Sequence, residues 1–110
     1  MKQQPEIRLL QGATSIVELD LTGFELQGGK IVFTMRKARK DGEIIKTWEF
    51  ETQETHNIVF SDEFTATLDT NSVYEYDIMW HLDGERFAQC LPSPIRVTRT
   101  VGGYRDAAGN

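Results

Sequence analysis

Cysteine is almost absent from this chain, with one, Cys90, in 110 residues. That excludes an intramolecular disulfide and any thiolate zinc site built from this chain alone, and it permits a reducing compartment. Histidine is nearly as scarce, with only His56 and His81, so no closed structural zinc site is expected and no metal or cofactor is called for. No run approaches the roughly 20 apolar residues that span a bilayer. The opening MKQQPEIRLLQG lacks the apolar stretch and small-residue cleavage site of a signal peptide. Net positive charge is missing too. A formal net charge of -5 argues against sequence-independent nucleic-acid binding, which works by displacing counterions with a basic surface. These absences leave the expectation of a soluble domain made in a cytoplasm, with neither a membrane nor a nucleic acid as partner.

What remains is enough for one domain, residues 1–110, with its core over about 7–101 and a short polar tail over 102–110 that is expected to fray. A chain of this size buries roughly two-thirds of its unfolded surface, so it needs no disulfide or metal to hold a core.

The dominant period is two. In VYEYDIMWHL, Tyr74, Tyr76, Ile78, Trp80 and Leu82 share one face of an extended chain, while Glu75, Asp77 and His81 fall on the other, along with Val73 and Met79. A helix would place Tyr74 and Tyr76 about 200° apart and scatter the aromatic stripe. Asp83-Gly84 then marks a two-residue hairpin turn, since such turns need positive φ at both central positions. Counting outward from that turn pairs Leu82 with Glu85, His81 with Arg86, Trp80 with Phe87, Ile78 with Gln89 and Asp77 with Cys90.

The return strand is expected over Glu85 to Leu91. Pro92 and Pro94 remove ladder donors, so pairing should break or reach an edge there before Ile95, Val97 and, with a break in polarity at Arg99, Val101 resume the alternation. Upstream, Val17, Leu19 and Leu21 alternate, as do Ile31, Phe33 and Met35; Asp41-Gly42 marks a second turn; Ile44, Trp48 and Phe50 share parity. His56 to Phe60 and Glu63 to Leu68 complete a set of about eight short strands with no helix, the pattern of an antiparallel sandwich. The expected core includes Leu19, Ile31, Phe33, Tyr76, Ile78, Trp80 and Val97.

Catalytic chemistry finds little purchase. The hairpin register puts His81 and Cys90 on one side but about 13 Å apart along the strand, too far for a nucleophile–base hydrogen bond. The carboxylate pairs Glu18/Asp20 and Glu75/Asp77 have strand spacing, and Asp62-Glu63 lacks a calcium-loop pattern. Gly28-Gly29 precedes a strand instead of a helix, so it is no phosphate loop. RKARK, Arg36 to Lys40, is the sharpest basic cluster, and reads either as a contact for an anionic partner or as a solvated hairpin tip.

Taken in order, GGKIVFTMRK, a charged hairpin, VYEYDIMWHLDGERF and PIRVTRTV resemble the small immunoglobulin-like modules of tailed-phage and prophage structural proteins, including the N-terminal domain of baseplate upper proteins. The resemblance extends over roughly Ile7 to Val101. It implies an all-β, antiparallel immunoglobulin-like sandwich of seven or eight short strands. It also implies a non-catalytic structural or interaction module of a virion tail or baseplate, made in the host cytoplasm. Expected partners are other virion structural proteins and further copies of itself. The expected contact surface comprises the basic hairpin (Arg36, Lys37, Arg39, Lys40) and the closing strand (Ile95, Arg96, Val97, Thr98, Arg99), read as a sheet edge because prolines limit its pairing. The competing reading is a carbohydrate- or ligand-binding sandwich that displays Trp48, Phe50 or Trp80.

Overall fold

A computed structural model describes residues 5–20, 27–38, 42–52 and 55–99. Within them run β1 (Ile7–Leu10), β2 (Ser15–Asp20), β3 (Lys30–Lys37), β4 (Ile44–Glu51), β5 (Thr55–Phe60), the short helix α1 (Asp62–Ala66), β6 (Val73–Leu82), β7 (Glu85–Ala88) and β8 (Ser93–Thr98). The large sheet has the order β1-β8-β6-β3-β4. β3 and β6 pair antiparallel along their whole common length, from Lys30↔His81 to Lys37↔Tyr74. The other flank of β6 is shared. β8 pairs its first half and β7 its second, so these two strands follow one another along the same edge of β6.

The hairpin has the register that the Asp-Gly turn dictates, with Trp80 opposite Phe87, His81 opposite Arg86 and Leu82 opposite Glu85. Asp83 and Gly84 both have positive φ, 51° and 82°, as a type I′ turn requires. Pairing stops at Ala88, sooner than the expected Leu91. One further bond, Gln89 N–H to the Ile78 carbonyl at 2.9 Å, closes the ladder. The chain then bends, and Cys90 turns into the core at 2% exposure. His81 stays on the outer face, so the two residues lie on opposite sides of the sheet, not on the same one.

A second layer, β2 paired antiparallel with β5, covers the inner face. Leu19, Ile58 and Phe60 from this layer meet Ile31, Phe33, Met35, Tyr74, Tyr76 and Ile78 from the large sheet. Phe33 stacks on Tyr76 with ring centroids 4.9 Å apart and takes Trp48 edge-on at 5.3 Å. Trp80 packs against the margin of this core, half-buried, and does not lie within it. Tyr74, at the start of β6, accepts the Asp69 N–H on its hydroxyl at 2.8 Å. A tyrosine bonded back to the corner before its strand, and two packed sheets of mainly antiparallel strands, define an immunoglobulin-like sandwich.

Two further expectations need correction. Glu63 to Leu68 is not a strand. Ser61 caps α1 by accepting the Phe64 N–H at 3.2 Å, with Asp62 and Glu63 in the first turn, where carboxylates are favoured. Phe64 and Leu68, four apart, both turn inward; Phe64, Ala66 and Leu68 read equally well as an alternation. The eighth strand is instead β1, whose four residues offer only Ile7 and Leu9 as an apolar pattern.

The second of these concerns the closing strand. β8 is interior, paired antiparallel with β6 and parallel with β1 from Ile7↔Ile95 to Leu10↔Thr98. Pro92 and Pro94 lie just before that parallel ladder, so their missing donors take nothing from it. Val101, given to the same strand by its pattern, and Asp41 of the second turn lie outside the described residues.

Candidate interaction face

The residues expected to form a contact surface are dispersed. Arg36 points outward from β3, half-buried, and donates from Nη2 to Asp77 Oδ2 at 2.9 Å. Lys37 ends β3, half-buried, while Arg39 and Lys40 lie outside the described residues. On β8, Ile95 and Val97 are 0% and 6% exposed and belong to the core, so neither belongs to a contact surface. Only Arg96, Thr98 and, beyond the strand, Arg99 are exposed. Arg96 is occupied: Glu6 bridges it and Arg8 with contacts of 2.6 and 2.7 Å. Arg8 stands opposite Arg96 in the parallel register, and the carboxylate between them offsets the repulsion of two like charges. The hydrogen bond from Arg8, then that from Arg96, holds the Glu6 carboxyl below its ordinary pKa.

The aromatic residues weighed for ligand binding are engaged on the core side. Trp48 contacts Phe33, Phe60 and Phe64 edge-on, with Lys46 Nζ 5.2 Å from its centroid. Phe50 stacks on His56 at 3.8 Å. Trp80 donates Nε1–H to the Gly28 carbonyl at 2.9 Å and packs beside Phe87. They are not a row along one open face.

What the large sheet does offer is its outer face, which the β2–β5 layer does not cover. Strict alternation along β3 and β6 sends Val32, Thr34 and Arg36 and Asp77, Met79 and His81 to this side. β4 contributes Ile44, Thr47 and Glu49, and β7 contributes Arg86, to a shallow concavity of about 390 Å3. The register orders the face in rungs. Glu51, Lys30, His81 and Arg86 form one; Glu49, Val32, Met79 and Ala88 the next; then Thr47, Thr34 and Asp77; then Ile44, Arg36, Glu75 and Pro94. Val32, Thr34 and Asp77 at its centre are buried, whereas Ile44 is 59% exposed. Ile44 thus stands open beside charged side chains of both signs, Arg36, Glu49 and Arg86.

Sequence reasoning placed Arg36 here but missed the face as a whole. The signal was present in the outward parity of β3 and β6, which carries Val32, Thr34 and Met79 where a purely solvated face would be charged.

Burial raises the Cys90 thiol pKa, the opposite of what nucleophilic activation needs. No group of three or more His, Cys, Asp or Glu among the described residues is close enough to share a metal ion. No helix of the described residues is long and apolar enough to cross a membrane.

No protein-family model matches the chain, and no curated protein does. A solved structure of the extracellular domain of the voltage-gated sodium channel beta4 subunit is similar, with a TM-score of 0.44 and 9% identity over 88% of this chain and 92% of that one. That structure is described as parallel homodimers that explain the subunit's role in cell-cell adhesion. The fold assignment rests on the strand order and the tyrosine corner, not on this likeness.

Proposed function

We propose that this protein is a non-catalytic interaction module that associates through the outer face of its large sheet. We place it, on the resemblance of its strand motifs, among phage or prophage tail and baseplate components. The observation that carries the interaction reading is the outer face itself, which no described element covers. It combines an open Ile44, a buried Val32–Thr34–Asp77 centre and charges of both signs at its margins, a pattern suited to a protein surface with its own charges. The carbohydrate reading has less support, because among the described residues no Trp, Tyr or Phe lines this concavity.

Oxidative footprinting tests the proposal. Met79 and His81 on the outer face should lose reactivity when the protein is mixed with the products of flanking tail genes. Unchanged footprints with every such product, together with specific retention of one glycan on an array, would replace this reading with the carbohydrate binder.

A further inference from the structure

We infer that the outer face docks against a second copy of itself about a two-fold axis that runs parallel to the strands between β3 and β6. This rests on the interaction reading above and names its partner. A face-to-face two-fold of that kind lays β3 of one copy over β6 of the other, and β4 over the β7–β8 edge, with each rung meeting the same rung. Arg36 then meets Glu75 of the second copy, and Glu51 meets Arg86. Ile44, the open apolar residue of the face, meets Pro94. Each contact occurs twice. The alternative two-fold, across the strands, inverts the rungs and lays Lys30 over Arg36 of the second copy; like charges facing each other select against it.

Size sets the strength. Four strands about 4.8 Å apart and eight residues of about 3.3 Å give a patch of roughly 500 Å2 per copy, below the roughly 800 Å2 of a standard stable interface. The dimer is therefore weak and concentration-dependent, with a salt-sensitive rim.

Glu51 and Arg86 make the decisive test, because both are exposed and three strand spacings, about 14 Å, separate them within one copy. They cannot pair internally. Sedimentation velocity over a series from low to high micromolar should show a reversible dimer for the full chain, weakened by salt. Glu51→Arg alone and Arg86→Glu alone should each raise the dissociation constant by at least about tenfold, since each turns two attractive contacts into two repulsive ones. Mixing the two single variants should restore association as a heterodimer, because both rim pairs then reunite opposite charges. Thermal melts matching the parent chain verify that both variants are folded. A full chain that stays monomeric throughout the series, or a dimer indifferent to both reversals, overturns the inference. If the chain is monomeric yet Met79 and His81 are protected by a tail product, the interaction reading stands and only the second-copy partner is wrong.

Discussion

Arg36 reaches diagonally from β3 to Asp77 on β6, Nη2 to Oδ2 at 2.9 Å, although Glu75 is its direct partner in the register. The diagonal contact covers a carboxylate whose side chain is only 12% exposed, and it leaves Glu75 without that partner. A buried carboxylate that loses its cation keeps its desolvation cost. Arg36→Ala is therefore expected to destabilise the fold by about 1–3 kcal/mol in urea unfolding. The double variant with Asp77→Ala should lose less than the sum of the two single changes. Strict additivity would show that the pair contributes nothing.

Glycine matters differently at two turns. Gly29 has φ +69°, and a Cβ there would lie 2.2 Å from the His81 carbonyl oxygen. Gly84 has φ +82°, with nothing within 4 Å of its would-be Cβ. Gly84→Ala should then carry only the left-handed backbone cost of about 1–2 kcal/mol. Gly29→Ala must also push backbone from backbone, and should lower the melting temperature by clearly more. Equal shifts for the two variants would contradict the close approach.

The Glu6 bridge predicts an acid response. Its carboxyl is held below the ordinary 4.5 by hydrogen bonds from Arg8 and then Arg96. A carboxylate whose pKa is depressed on folding stabilises the fold above its unfolded pKa, and the contribution is lost as pH falls through the folded value. Glu6→Gln should melt below the parent chain at neutral pH, and the gap should close progressively below pH 4.5. A gap of constant size across the acid range would rule out this linkage. Because the bridge is exposed, added salt should shrink the gap as well.

Cys90 should be silent in the native state. It is buried in the core cluster, and burial raises its thiol pKa, so both access and thiolate population are low. Labelling by a thiol reagent at neutral pH is expected to follow global unfolding and to accelerate in urea with the unfolding transition. Rapid stoichiometric labelling of the folded protein would place the thiol at the surface.

The amino-acid sequence by itself determined the local features. The alternation in Lys30–Lys37 and Val73–Leu82 assigned each side chain to a face, and Asp83-Gly84 set the pairing of Trp80 with Phe87. These follow from the two-residue period of an extended chain and from the backbone geometry of one turn, both of which act over a few residues. The tertiary structure alone decided the lateral order. Ile7 pairs with Ile95 across most of the chain, and no local signal says which strand lies beside which. That pairing made β8 interior where its prolines suggested an edge. Cys90 went inward for a related reason: the ladder ended at Ala88 and the chain bent, so parity counted through the bend lost its meaning. At Phe64, Ala66 and Leu68 the spacing satisfied both periods, and the Ser61 cap with the inward side of the sandwich chose the helical turn. The outer face was likewise a product of assembly. Its rungs bring together residues from five strands, and only sheet pairing places Glu51 and Arg86 on opposite margins of one surface.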